Sequence, residues 1–156
     1  MNVREDPLRQ HVVRALEWDE AHLTLEDSLK GLPPSRRGKR PRGFAHSPWE
    51  LLEHIRLAQR DLLEFCRNGR YVAGKWPEDY WPATAAPPTA RAWNASLKAV
   101  AADRRAFQKF VRTTPGLFAE IPGNPGKTIL RSVLLAIDHT SYHVGQLLMA
   151  RKILER

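Results

Sequence analysis

The sequence predicts an all-α fold, a four-helix bundle forming a single domain over residues 1–156, and three observations carry that expectation. Proline and glycine divide the chain into four long stretches. Each stretch repeats apolar residues at steps of three and four, and none alternates as a strand does. Their lengths also match. Rods of about 20–27 residues, about 30–40 Å at 1.5 Å per residue, bury one apolar face each by lying against one another.

The first stretch opens at Asp6-Pro7, an N-cap residue followed by proline where a missing N–H costs nothing, and runs to Gly31-Leu32-Pro33-Pro34. Its stripe is Leu8, Val12, Ala15, Leu16, Leu23 and Leu29. The second begins with Ser47-Pro48-Trp49-Glu50, the pattern of a capping box, and stops at Asn68-Gly69. Leu51, Ile55, Ala58, Leu62 and Phe65 line its inner face. A third stretch follows Pro87-Pro88-Thr89 with Trp93, Leu97, Val100, Phe107 and Val111, and ends by Pro115-Gly116. The fourth follows Gly126-Lys127-Thr128, buries Ile129, Val133, Ala136, Leu147, Ala150 and Leu154, and places Arg151 and Lys152 at the negative end of its dipole.

Between helices two and three, residues 68–89 form a long connection rich in proline and aromatics, including Trp76-Pro77 and Tyr80-Trp81-Pro82. That composition is too aromatic for a solvated linker. It fits a strap along the bundle, a wall over a pocket, or both.

Composition excludes several classes. Hydrophobic residues make up 42% and charged residues 27%, so the chain is no disordered polyelectrolyte. The longest aliphatic run, at 133–137, is far short of the roughly 20 residues of a membrane span, and no membrane partner is expected. Asp6, Arg9 and Arg14 interrupt any apolar signal-peptide core. Cys66 is the one cysteine, which points to a reducing, cytoplasmic setting and a core role for the thiol. Of the net charge of +8, five charges fall in the run at 35–42, on Arg36, Arg37, Lys39, Arg40 and Arg42. With no aromatic interleaved, that run reads first as a solvated connector and second as a contact for an anion; nucleic acid is not the expected partner.

Three histidines stand where helices should be apolar. His139 and His143 project one turn apart from one side of the fourth helix, and His54 sits between Leu51 and Ala58 on the inner face of the second. Three imidazoles can hold one ion and leave a coordination position open, as catalytic zinc sites do. The competing readings are a pair of partly exposed histidines on the fourth helix, or core histidines bonded to neighbours. Other templates fail: the segment from His139 to His143 lacks the glutamate of a zincin, no Glu-x-x-His pair exists for a di-iron centre, and no nucleophile elbow or phosphate loop is present.

Extending the first stripe from Ala15 lands on Asp19, His22 and Glu26. These residues line a wet cavity near the ion in one reading, Asp19 or Glu26 as proton acceptor and His22 as fourth ligand or as a group orienting the ligands. In the other, a small rotation turns Leu16 and Leu23 inward and leaves all three at the surface. His11 and His46 are expected to be exposed and without a role.

The segments Ser47-Pro48-Trp49-Glu50-Leu51-Leu52-Glu53-His54 and Asp138-His139-Thr140-Ser141-Tyr142-His143-Val144-Gly145-Gln146 resemble the DinB-like superfamily, which includes the YfiT-like metal-dependent hydrolases. The resemblance implies an up-down-down-up bundle, a homodimer, and one divalent ion, nickel or zinc, on His54, His139 and His143. It further implies a hydrolase or a small-thiol-dependent transferase acting on a small molecule, since relatives include enzymes that use mycothiol or bacillithiol. The alternative is a non-catalytic metal- or ligand-binding dimer of the stress response. The basic run at 35–42 is outside the family pattern.

Overall fold

The computed structural model describes residues 6–17 and 19–156. Among the described residues, five α-helices and a two-stranded hairpin follow in the order α1 (Pro7–Ala15), α2 (Leu25–Leu29), α3 (Pro48–Arg67), α4 (Ala90–Thr113), β1 (Glu120–Ile121), β2 (Asn124–Thr128) and α5 (Ile129–Leu154). The fold is predominantly helical, and α3 packs on both α4 and α5, while α1 lies on α4 and α2 on α5. No helix among the described residues is long and apolar enough to cross a membrane.

The start signals act as the sequence predicts. Asp6 accepts the N–H of Arg9 at the head of α1, and Ser47 and Glu50 close a reciprocal capping box on α3. Thr89 and Thr128 cap α4 and α5. The predicted inner faces of α3, α4 and α5 are buried through Leu51, Ile55, Ala58, Leu62, Trp93, Val100, Phe107, Val111, Val133, Ala136 and Leu147. They form two apolar clusters, one around Phe107, Val111 and Val133 and the other around Leu52, Ile55 and Leu147.

Two expectations are corrected. The first stretch is not one helix: α1 ends at Ala15 and α2 starts at Leu25. Position 18 in between lies outside the described residues. Thr24 starts a new helix by accepting the Asp27 N–H at 3.1 Å, and its hydroxyl donates to the Asp27 carboxylate at 2.9 Å. Leu8 and Leu23, placed on the inner stripe from the sequence, are exposed. The second correction is the hairpin at 120–128, where no strand was expected. Gly123 and Gly126 take positive φ, which allows the turn and the irregular pairing, and the Gly126 N–H donates to the Glu120 carboxylate at 2.9 Å.

The connection at 68–89 packs back on α3. Tyr80 is buried, and the Tyr71 and Tyr80 hydroxyls donate to one oxygen of Asp61 on α3, at 2.8 and 2.6 Å. The loop before α3 is equally tied down. Arg40 makes a two-pronged pair with the buried Glu50, its Nε at 2.9 Å, and Arg37 stacks 4.6 Å over Trp93. Burial disfavours the Glu50 carboxylate, but Arg40 and the Ser47 N–H outweigh that and hold its pKa below the usual range. Two members of the basic run therefore serve the fold and are not merely solvated.

Candidate metal site

Helical periodicity brings three imidazoles together across the α3–α5 contact. His54 is buried on the inner face of α3, and His139 and His143 face it from successive turns of α5. The Nε2 atoms of His54 and His139 are 3.0 Å apart. One donor nitrogen from each of the three lies within 4.8 Å of the others. Ring centroids are separated by 4.8 Å for His54–His139, 4.6 Å for His54–His143 and 4.5 Å for His139–His143.

Hydrogen bonds set how two of the rings present themselves. His54 donates its Nδ1–H to the Tyr80 carbonyl at 2.8 Å, and His143 donates its Nδ1–H to the Gln146 side-chain oxygen at 2.7 Å. A neutral imidazole that spends its proton on one nitrogen keeps a lone pair on the other, so both Nε2 atoms are left as donors for an ion. Burial, joined by the neighbouring His143 and His54, pushes His139 down to about 3. Burial likewise lowers His54, against the Tyr80 carbonyl, and His143, against Gln146. Two imidazoles with a free Nε2 lone pair and a third that turns its own Nε2 toward them are a donor set a first-row divalent ion takes. The residues fit such a group.

Aromatic rings enclose the trio. Trp81 stacks flat on His54, His46 stacks on Trp81 at 3.8 Å, and Trp76 sits 5.6 Å from His54. A cleft of about 290 Å³ opens beside His139, walled by Ala58, Leu62, Leu135, Trp76 and Tyr80, with Asp61 as its acidic member. The strap is thus both packing and wall. His46, expected to be exposed, is half-buried in this stack, whereas His11 is exposed as predicted.

The candidates of the first stretch are elsewhere. Glu26 pairs with Arg104, with contacts of 2.7 and 3.1 Å, and Glu17 joins the same guanidinium at 3.1 Å. His22 is exposed and bonds the Leu23 carbonyl and, through Nε2 at 3.2 Å, the Ser141 hydroxyl. At 100° per residue Ser141 points to the side of α5 opposite His139 and His143. Asp19 is exposed beside a separate surface cleft with Arg14, Glu17, Glu20 and Arg112. None of the three joins the histidine group, because the break after α1 removes the helical register that aligned them.

Asp61 is not singled out by the sequence, and Tyr80, Trp81 and Gln146 stand there only as parts of the strap and of the family segment, without a role beside the histidines. Asp61 had a signal: it lies seven residues after His54, two turns along the same face of α3. Tyr80 and Trp81 belong to the strap whose aromatic content was conspicuous. Cys66 is buried and its thiol is pushed up to about 11 by burial, which suits a core residue and no nucleophile.

The family model described as the DinB superfamily matches residues 17–147. No curated protein matches the chain.

Proposed function

The chain belongs to the DinB superfamily, and on that premise we propose a metal-dependent enzyme that transfers a small thiol to an electrophile, with one nickel or zinc ion on His54, His139 and His143. The observation that carries this reading is the three-histidine cluster with an apolar cleft beside His139. An ion there supplies Lewis-acid chemistry, lowering the pKa of a thiol or water that meets it toward neutrality. The protein does the rest. Tyr80 and Gln146 orient two of the imidazoles, Trp81 covers His54, and Ala58, Leu62, Leu135 and Trp76 offer an apolar seat for the electrophile.

A hydrolase would use the same histidines, and its rate would gain from a carboxylate or imidazole base within about 3 Å of the attacking water. Asp19 and Glu26 lie apart from the cluster, and Asp61 already accepts two phenol hydroxyls. A thiol makes less demand on a base. The same lack of a free base is what favours the second reading, a non-catalytic metal- or ligand-binding dimer.

A homodimer with an up-down-down-up bundle in each subunit, held in a reducing cytoplasm, completes the proposal. Leu135, Tyr142, Met149 and Ile153 recur along one exposed face of α5, as a helix meeting a second copy would arrange them. Untagged protein loaded with zinc or nickel should consume a small thiol together with an electrophile. Ester cleavage without thiol dependence would move the assignment to hydrolase, and stoichiometric metal with neither reaction would favour the binding dimer.

A further inference from the structure

Asp61 and His54 stand two turns apart on one face of α3, and Tyr80 bridges them. Its hydroxyl donates to Asp61 at 2.6 Å, while its main-chain carbonyl accepts the His54 Nδ1–H at 2.8 Å. Tyr71 adds a second phenol to the same carboxylate oxygen, at 2.8 Å. The segment from residue 72 to 79 is exposed, so besides the ring contacts of Trp76 and Trp81 with His54 these hydrogen bonds are what hold the strap at this height. Residue 80 is therefore tied at both ends to a single rigid helix.

We propose that Asp61 is a positioning residue for the metal site, acting through Tyr80 on His54. A charged acceptor bonds phenols more strongly than a neutral one, and the two phenols fix where the Tyr80 carbonyl sits. That carbonyl fixes the His54 tautomer and ring angle, and with them the direction of the Nε2 lone pair. Without it, His54 is free to protonate Nε2 and donate to His139 Nε2, which faces it at 3.0 Å and would otherwise serve the ion. The role rests on the metal reading above, but it concerns residues of the strap and of α3 that need not touch the ion.

The test measures zinc affinity by competition with a chromophoric chelator, and the visible spectrum of the cobalt-loaded full chain. Asp61→Leu and Tyr80→Phe should each weaken zinc binding by about tenfold and alter the cobalt bands, in keeping with the range for partners that orient metal ligands. The double variant should be no weaker than the worse single one, because both act through one chain of contacts. Asp61→Asn should stay within about threefold of wild type, since an amide oxygen still accepts both phenols. Unchanged zinc affinity and cobalt bands in Asp61→Leu and Tyr80→Phe, with only thermal stability lowered, would reduce Asp61 to an anchor for the strap. Should Asp61→Leu not fold, Tyr80→Phe carries the test alone. A wild type that takes up neither zinc nor cobalt overturns the metal reading and the positioning role with it, whereas normal uptake with unresponsive variants overturns the positioning role alone.

Discussion

Trp81 lies flat against His54, their ring centroids 3.9 Å apart and their planes 2° from parallel. His46 covers the other face of the same indole. Stacking of this kind contributes about 0.5–1.5 kcal/mol beyond the area it buries. It also stops the His54 ring from turning. Trp81→Leu should lower stability by about 1 kcal/mol and weaken metal binding several-fold, read by urea unfolding and chelator competition. Metal affinity equal to wild type would show that the Tyr80 carbonyl suffices to hold His54.

Metal content tests the ligand assignment directly. Untagged protein should carry roughly one divalent ion per chain by elemental analysis. His139→Ala and His143→Ala should lose most of it, and His54→Ala should weaken it. Equal content in wild type and in the triple alanine variant would remove the site.

Acid stability of the metal-free protein follows from the lowered imidazoles. His139 is held at about 3 in the folded chain, against about 6.5 when unfolded. The unfolded state therefore binds more protons between those values, and stability rises with pH there. Between about pH 6.5 and 5 the carboxylates remain ionised. The melting temperature should fall across that window on acidification, and His139→Asn should flatten the fall. Saturating metal, which needs neutral imidazole, should raise it at every pH in the window.

The site was legible because its signals are local and periodic. Ser47 and Glu50 mark the start of α3, and counting from Leu51 and from Ala136 puts His54, His139 and His143 on inner faces. The split of the first stretch was not. No proline or glycine lies between Leu16 and Thr24, so the apolar spacing was carried through a break that the Thr24–Asp27 cap announces only weakly. Asp61 and Tyr80 stand 19 positions apart, the end of α3 and the irregular strap between them, and no periodicity reports such a contact. The hairpin escaped because β1 spans two residues and β2 five, with turn-forming glycine and proline in place of alternation.

The basic run divides into two kinds of residue. Arg40 neutralises Glu50 inside the α3 capping box, and Arg37 stacks on Trp93. Arg40→Gln should lower the urea midpoint by leaving a buried carboxylate unpaired. Replacing Arg36, Lys39 and Arg42 together with Gln should leave both midpoint and metal content near wild type. Any DNA binding should be weak, fall steeply with salt and show no sequence preference. Tight, sequence-selective binding in physiological salt would give the run a function of its own.

Glu26 separates the role its sequence position suggested from the role its contacts give it. A proton acceptor for the histidine site would have to reach the cleft beside His139. Glu26 instead meets Arg104, whose side chain is only 9% exposed, and Glu17 shares that guanidinium. A buried cation that loses a carboxylate is costly, while a partner as exposed as Glu26 is partly screened by water. With Glu17 still in place, Glu26→Gln should destabilise the chain by about 1–2 kcal/mol. It should leave zinc affinity and any thiol-transfer rate unchanged. Asp19→Asn and His22→Ala, exposed and outside the histidine group, should change neither quantity and cost little stability. The decisive comparison is turnover at full metal occupancy. A loss of rate in Glu26→Gln or Asp19→Asn, with zinc affinity intact, would restore a carboxylate from the first stretch to the chemistry and require this segment to close over the cleft during reaction.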